Sequence, residues 1–334
     1  MTSADTLSMP RIIARTLLIA SDTPGIQLQL LNKRPDGVST FRSERTLVMM
    51  HGATFPSASL FDVPVGEGSF MDVLARAGYD VWAVDARGYG GSTRLPEMER
   101  PPEDGVPLTL AHTAVRDLAA AVDFIRSERG IARLGLLGMS WGATVAGILA
   151  SQPDAPVEKL VLVTPLWLSE KPLRIDAGGP LGAYRLVSPR AFEAAWKSPA
   201  PEEARGTLIP EGWFETWEKE TLATDMGSPM PGTIRAPSGA VQDVREHWTA
   251  GRPLYDPSDI GCPVLLVGAE WDIDVRFDMA HDLFVRLTKS PCKRFVEIGQ
   301  ATHMVLMEKN RGQAFDAVIG FLNEGFMRGD YLAR

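Results

Sequence analysis

The stretch GLLGMSWGATVAG, residues 135–147, places a serine between an apolar run and a run of small residues. Gly138 and Gly142 flank Ser140 at two residues on each side, which is the G-x-S-x-G spacing. In that spacing the chain turns sharply from a strand into a helix, and glycine relieves the crowding that larger side chains would cause. The pattern predicts a strained turn from which the Ser140 hydroxyl projects.

The residues around this serine predict the strand and the helix that such a turn requires. RLGLL (residues 133–137) is a short apolar run suited to a buried parallel strand, and WGATVAGILA (residues 141–150) is typical of a helix with small side chains. A lone G-x-S-x-G match occurs by chance in many chains, so this context is what supports it. A serine in this position is inert without a base, an acid that orients the base, and donors for an oxyanion.

Composition limits the class of protein. The chain has 334 residues, of which 45% are hydrophobic and 23% charged, which suits one large α/β domain with an insertion, or two domains. A net charge of −8 does not favour nucleic-acid binding. No run approaches the ~20 apolar residues of a membrane span. The apolar segment 11–20 is interrupted by Arg15 and offers no signal-peptide core, so a cytoplasmic location is expected.

The only cysteines are Cys262 and Cys292, which does not indicate a disulfide framework or a metal site. Each precedes a predicted strand, and we expect two free, buried thiols. No residues show metal-ligand spacing, so neither a metal nor another cofactor is expected. A small-molecule substrate is the expected partner, and the oligomeric state stays open.

Strands and helices alternate over most of the chain. An antiparallel hairpin is predicted over residues 15–34, because two apolar runs flank a turn-like stretch. Such alternation implies a parallel sheet covered by helices on both faces. The further predicted strands lie within residues 45–52, 79–84, 133–137, 157–166, 262–272 and 293–299, and the predicted helices within 70–78, 112–130, 141–150, 278–287 and 312–326.

The alternation stops between residues 167 and 254, a segment rich in Pro, Gly and Trp without clear strands. We expect an insertion over the carboxyl edge of the sheet, where such folds bind ligands. The expected division is 1–166 and 255–334 for the main domain and 167–254 for the insertion. The insertion holds tryptophans that could form an apolar lid over a pocket or pack that lid onto the main domain: Trp167, Trp196, Trp213, Trp217 and Trp248.

Four motifs resemble the α/β-hydrolase superfamily in sequence and in order, over about residues 15–326. They are HGAT (51–54), DARGYGGS (85–92), GMSWG (138–142) and GQATHM (299–304). The resemblance implies an α/β protein with the α/β-hydrolase fold: a mostly parallel eight-stranded sheet with helices on both faces and an inserted helical cap. It also implies a catalytic serine followed in the chain by an acid and then a histidine.

The base can be selected among five histidines. His51 precedes the serine and belongs to the loop expected to bind the oxyanion. Solvent-facing, capping or packing roles are expected for three others, which lie at a helix start, in the insertion and inside a helix: His112, His247 and His281. His303 follows the last predicted strand, where the resemblance places the catalytic histidine.

The acid is expected in GAEWDID, which offers Glu270, Asp272 and Asp274. The resemblance aligns Asp272 with the acid that fixes the imidazole tautomer. Asp274 is the alternative, and its other role would be to cap the helix beginning near Val275.

The oxyanion would need two backbone N–H donors. The resemblance assigns them to Trp141, directly after the serine, and to Ala53, directly after HG. The Thr54 hydroxyl could add a further donor or serve only the turn.

The residue type at the position of Ser140 limits the possible reactions. Members of the superfamily with Asp at this position are haloalkane dehalogenases and epoxide hydrolases, and those with Cys are dienelactone hydrolases. Serine is typical of acyl transfer from esters, lactones, thioesters or amides. With the tryptophans of the insertion, we expect cleavage of a carboxylic ester or lactone of a small to medium, largely apolar substrate. Amide or C–C bond hydrolysis, acyl transfer to an alcohol and a non-catalytic ligand-binding role are the alternatives. GMSWG is similar to the GGSWG of proline iminopeptidases, which would need acidic groups for a substrate amine, for example Glu202, Glu203, Glu215 or Glu218.

Overall fold

The computed structural model describes residues 11–325, so the end of the last predicted helix, at Phe326, lies outside the described residues. The described strands are β1 Ile12–Ala20, β2 Gln27–Pro35, β3 Thr46–Met50, β4 Asp80–Val84, β5 Leu134–Met139, β6 Val157–Val163, β7 Tyr184–Val187, β8 Ile234–Pro237, β9 Val264–Ala269 and β10 Lys293–Ile298. The described α-helices are α1 Ser57–Phe61, α2 Phe70–Arg76, α3 Ala111–Arg129, α4 Trp141–Ala150, α5 Pro189–Lys197, α6 Glu202–Leu208, α7 Trp213–Ala223, α8 Gly239–Asp243, α9 Phe277–Arg286 and α10 Arg311–Asn323.

Eight of these strands form one sheet in the order β1-β2-β4-β3-β5-β6-β9-β10. The β1–β2 hairpin is antiparallel and β2 is antiparallel to β4, whereas the other neighbours are parallel. The predicted mostly parallel eight-stranded sheet is therefore confirmed.

The sheet is buried on both faces, as expected for parallel strands connected by helices. In β4, Trp82 and Val84 belong to one apolar cluster, while Val81 and Ala83 belong to the cluster on the opposite face. Because successive side chains of a strand point to opposite faces, the uninterrupted apolar runs of the sequence fill both clusters. Polar side chains therefore occur mainly beyond the carboxyl ends of the parallel strands.

Residues 167–254 lie between β6 and β9 and contain α5–α8 together with β7 and β8. The prediction of a segment without strands was wrong, because β7 and β8 pair antiparallel as a separate two-stranded sheet. Each strand has four residues, and β8 ends on a proline. Neither segment is long enough to show a strand pattern in the sequence, so the two strands depend on pairing with each other. The division into residues 1–166, 167–254 and 255–334 stays a prediction.

The two cysteines lie at the start of β9 and β10. Cys262 is buried and Cys292 is half-buried, and both are free thiols. The expectation that both are buried is wrong for Cys292, because it precedes β10, the edge strand of the sheet. None of the helices described for residues 11–325 has the length and apolar character needed to cross a bilayer.

Candidate active site

Ser140 lies at the turn between β5 and α4 with φ 57° and ψ −120°, a backbone conformation that costs free energy for a residue other than glycine. A Cβ on Gly138 would lie 2.2 Å from the carbonyl oxygen of Gly142. A Cβ on Gly142 would lie 2.2 Å from the carbonyl oxygen of His51. Both glycines are therefore required sterically, as the spacing predicted.

The structure brings Asp272 and His303 together. His303 Nδ1 lies 2.8 Å from Asp272 Oδ2, and the carboxylate makes Nδ1 the protonated nitrogen, which leaves Nε2 able to accept a proton. The other carboxylate oxygen, Oδ1, accepts the backbone N–H groups of Asp274 and Val275 at 2.8 and 2.9 Å. The Asp272 carboxylate is buried, and hydrogen bonds to both of its oxygens fix its position beside the imidazole.

The other two acids of GAEWDID have different partners. Asp274 forms a bidentate ion pair with Arg174 of the insertion, at 2.9 and 2.6 Å. Its expected capping role is wrong, since Asp272 accepts the N–H of Val275 and the residue preceding α9 is Arg276. Glu270 accepts the backbone N–H of Gln300 at 2.6 Å and so supports the loop that carries the histidine.

The charges around His303 favour its protonated form. Burial of the imidazole opposes protonation, but the charge and hydrogen bond of Asp272, with a further contribution from Asp274, raise the pKa of His303 to about 9. Arg174 acts in the opposite direction. Two carboxylates of the loop after β9 and the guanidinium of Arg174 thus set the proton affinity of this imidazole.

The loop after β3 is held by a neutral His51. Its Nδ1 lies 2.7 Å from the carbonyl oxygen of Gly52, and its Nε2 lies 3.1 Å from the backbone nitrogen of Ala86. A carbonyl only accepts and an N–H only donates, so Nδ1 carries the proton. Burial lowers the pKa of His51, which keeps this tautomer uncharged.

That hydrogen bond orients the predicted oxyanion donor. In a trans peptide the carbonyl of Gly52 and the N–H of Ala53 point in opposite directions. Fixing the carbonyl on His51 therefore directs the Ala53 N–H away from His51. Within residues 11–325 neither Ala53 nor Trp141 donates its backbone N–H to a protein acceptor, so both donors are available to a ligand.

The DARGYGGS stretch supports this loop, a role that sequence reasoning missed. Asp85 accepts the N–H of Ser57 at 2.8 Å, and Tyr89 donates its hydroxyl to the carbonyl of Ala53 at 2.9 Å. Gly90 has a positive φ and leaves no room for a Cβ beside the Asp85 carboxylate. The motif therefore holds the loop after β3 through side-chain hydrogen bonds.

A cavity of about 440 Å³ connects these groups at the carboxyl edge of the sheet. Ala53, Ser140 and His303 line it, whereas Asp272 and Trp141 lie outside its lining. The charged lining side chains besides the imidazole are Arg174 and Asp274, which neutralise each other. Most of the wall is apolar and is formed by Phe55, Leu60, Met139, Leu166, Leu173, Ile175, Phe192, Ala195, Trp196 and Met304.

The insertion contributes one tryptophan to this wall, and it packs others elsewhere. The Trp196 ring lines the cavity, while Trp217 is fully buried and donates its indole N–H to the carbonyl of Ser59 at 3.0 Å. The rings of Trp167 and Trp248 lie 5.7 Å apart, tilted by 37°, inside the apolar core. The two interpretations of the tryptophans therefore apply to different residues.

Glu308 is a buried acid that sequence reasoning also missed. It accepts the backbone N–H of Thr302 at 2.8 Å, the Thr302 hydroxyl, and the indole N–H of Trp196 at 2.7 Å. It thereby ties the residue preceding His303 to the insertion. The sequence did contain a signal for this role: Glu308 directly follows the apolar run MVLM. An acid beside buried apolar residues needs hydrogen-bond partners, because burying a charge without them is costly.

Among the residues that the structure describes, Asp272, Asp274 and His303 are close enough together to bind a metal ion. Their potential ligand atoms lie within 4.8 Å of one another. Each of these groups already has a partner: Asp272 binds the imidazole and two backbone N–H groups, and Asp274 binds Arg174. A cation would have to displace Arg174. The donor set fits an acid–base pair better than a metal centre.

The remaining histidines lie away from this cavity. His112 and His281 are exposed and His247 is half-buried. The acids considered for a substrate amine do not line the cavity either: Glu202, Glu203 and Glu215 are exposed, and Glu218 pairs with Arg190.

The sequence profile of the alpha/beta hydrolase family matches residues 47–318. The chain belongs to this family. Among curated proteins, lipase member N of Homo sapiens is 32% identical over 124 residues, which is 36% of this chain and 31% of that protein. Lipase member N of Mus musculus is 31% identical over 32% of this chain and 27% of that protein. The matches of this α/β hydrolase thus span less than a third of the length of these relatives.

Solved structures share the fold of this α/β hydrolase over nearly its whole length. A probable hydrolytic enzyme from Pseudomonas aeruginosa has a TM-score of 0.61 and 19% identity, covering 93% of this chain and 95% of that one. A serine hydrolase involved in carbazole degradation has a TM-score of 0.59 and 15% identity, covering 93% and 99%. An enol-lactonase from Burkholderia xenovorans has a TM-score of 0.55 and 17% identity, covering 92% and 100%.

Proposed function

We propose that this α/β hydrolase cleaves a carboxylic ester or lactone of a small to medium, largely apolar substrate through an acyl-enzyme on Ser140. The observation that carries the proposal is the opening of Ser140 and the Asp272-oriented His303 into one apolar cavity. The free N–H groups of Ala53 and Trp141 support it further.

Each residue has a role in this reaction. The Ser140 hydroxyl attacks the carbonyl carbon while its proton passes to His303 Nε2, and Asp272 stabilises the imidazolium. The oxyanion of the tetrahedral intermediate accepts the N–H groups of Ala53 and Trp141. Collapse expels the alcohol, which takes the proton from His303, and water then releases the acid by the same two steps.

The cavity supports an apolar substrate. Its charged lining residues are His303 and the mutually paired Arg174 and Asp274, so an apolar acyl or alcohol group meets mainly hydrocarbon. The lipase names of the curated relatives favour an ester. An aminopeptidase-like reaction finds less support, because none of the four candidate glutamates lines the cavity.

The first experiment combines active-site labelling with turnover. We expect a fluorophosphonate to label Ser140 and p-nitrophenyl esters to be hydrolysed, with turnover falling once the acyl chain outgrows the 440 Å³ cavity. Ser140→Ala should abolish both, whereas Ser151→Ala, at the other end of α4, should change neither.

Turnover that survives in Ser140→Ala would refute the acyl-enzyme. Labelling without ester turnover would direct the search to amide, lactone or C–C substrates. Failure of both would favour a non-catalytic ligand-binding role.

A further inference from the structure

We propose that Arg185, on strand β7 of the insertion, is a positioning residue for the oxyanion. Its guanidinium holds the loop that carries the Ala53 N–H and places a positive charge behind that donor. The inference rests on the proposed function, because it concerns the charge that develops when Ser140 attacks a carbonyl.

The contacts fix Ala53 from both sides. Arg185 Nη2 donates to the Ala53 carbonyl at 3.1 Å and lies 3.4 Å from the Thr54 hydroxyl. The same carbonyl accepts the Tyr89 hydroxyl at 2.9 Å, so both of its lone pairs have donors. With the preceding carbonyl held by His51, neither peptide adjoining Ala53 can rotate without breaking a buried hydrogen bond.

The guanidinium has no carboxylate beside it in the part of the chain that the structure describes. Other arginines of this protein pair with buried acids, as Arg87 does with Asp117 and Arg235 with Asp225. Arg185 has only the neutral oxygens of Ala53 and Thr54, and its Nε is buried without a partner. Burial lowers the pKa of Arg185, yet a guanidinium stays protonated at neutral pH.

A half-buried cation whose Nε is buried and unpartnered, and which has no counter-charge, is costly in the resting protein. An oxyanion that accepts the Ala53 N–H would lie close to this charge, and it would offset that cost only while it exists. An arrangement that is unfavourable in the ground state and favourable in the tetrahedral state lowers the barrier selectively. The insertion would then contribute to catalysis as well as to the cavity wall.

The test separates binding of the tetrahedral state from binding of the substrate. An alkyl trifluoromethyl ketone forms a tetrahedral adduct with a catalytic serine, and its inhibition constant reports the oxyanion. The dissociation constant of an intact p-nitrophenyl ester, measured in the Ser140→Ala background, reports the ground state. Arg185→Gln removes the charge, Arg185→Lys keeps it without the planar fork, and Arg190→Gln is the control because Arg190 is an exposed insertion arginine paired with Glu218.

We expect Arg185→Gln to weaken ketone inhibition and kcat/KM together by about 10- to 100-fold, less than the loss of an oxyanion donor itself. Ester binding should stay unchanged, and Arg185→Lys should lie between Arg185→Gln and the wild type. Unchanged ketone inhibition, or an equal loss in ester binding, would overturn the inference. Should Arg185→Gln fail to fold, Arg185→Lys decides by the same criterion: selective loss supports the inference, and wild-type inhibition or a matched loss in ester binding overturns it.

A wild type that neither hydrolyses esters nor binds the ketone would overturn the proposed function and this inference with it. A wild type that does both, with Arg185 variants that show no selective loss, would overturn the inference alone.

Discussion

The three acids of the loop after β9 lie within five residues of one another, and each has a different partner. Asp272 orients His303, Asp274 pairs with Arg174 of the insertion, and Glu270 supports the backbone at Gln300. The resemblance to α/β hydrolases placed the acid in this loop and favoured Asp272 over Asp274. The side-chain contacts support Asp272, because a turn can direct neighbouring carboxylates to different partners.

The pair of Asp272 and His303 predicts an alkaline pH dependence. Only the neutral imidazole can accept the Ser140 proton, and the pKa of His303 is raised to about 9. We therefore expect kcat/KM for a p-nitrophenyl ester to increase with pH and to level off above about pH 9.

Asp272→Asn tests the same pair. It should lower kcat by about 10⁴-fold, the cost typical of losing the triad carboxylate. It should also move the midpoint of the pH profile towards or below the ordinary imidazole value of about 6.5. A pH profile that keeps its midpoint in this variant would show that another group titrates.

At the scale of the element, the turn from β5 to α4 depends on close backbone contacts. The β5 strand and the α4 helix are nearly completely buried, so neither can shift to admit an additional atom. Gly142 faces the carbonyl oxygens of His51 and Met50, at 2.2 and 2.4 Å from a Cβ built on it. The loop after β3 and the turn at Ser140 are thus packed against each other because Gly142 has no side chain.

We expect Gly142→Ala to lower the free energy of unfolding by about 1–3 kcal/mol, the typical cost of overpacking, and to abolish fluorophosphonate labelling. Gly320→Ala is the matched control, since Gly320 lies on the exposed face of α10 with open space around its Cα. The same substitution there should raise the free energy of unfolding by about 0.5–1 kcal/mol. Chemical denaturation of the two variants measures both changes, and equal stabilities would contradict the crowding at Gly142.

At the scale of the whole molecule, the insertion contacts each part of the candidate site. Arg174 pairs with Asp274 in the loop after β9, and Arg185 binds Ala53 in the loop after β3. Trp196 is joined through Glu308 to Thr302, which precedes His303. Asp243 of α8 accepts the indole N–H of Trp141 at 2.9 Å. Movement of the insertion would therefore disturb the geometry of the candidate site as well as access to the cavity.

The ion pair between Arg174 and Asp274 predicts shifts of opposite sign. Arg174 lowers the pKa of His303 and Asp274 raises it. We expect Arg174→Gln to move the midpoint of the kcat/KM profile to higher pH and Asp274→Asn to move it to lower pH. Both variants break the same contact between the insertion and the main domain, so shifts in the same direction would indicate that the contact acts only through structure.

Local patterns predicted most of the main domain, although they missed the short helix α1, Ser57–Phe61. Uninterrupted apolar runs, helical periodicity and the G-x-S-x-G spacing predicted the order of strands and helices and the turn at Ser140, because those features arise from residues close in sequence. The resemblance to α/β hydrolases added the eight-stranded sheet, which the structure confirms. The roles assigned to Ser140, Asp272, His303, Ala53 and Trp141 stay predictions until activity is measured.

The tertiary structure alone decided what depends on contacts between distant residues. The pairing of β7 with β8, the hydrogen bond of Glu308 with Trp196, and the contact of Arg185 with Ala53 join residues from 47 to 132 positions apart. Only the contact of Glu308 with Thr302 is local. Tyr89 of the DARGYGGS motif donates to the same Ala53 carbonyl, a contact that the sequence did not predict. Such partners leave no periodicity or spacing in the chain, because a hydrogen bond between remote side chains constrains their positions in space and not their separation in sequence.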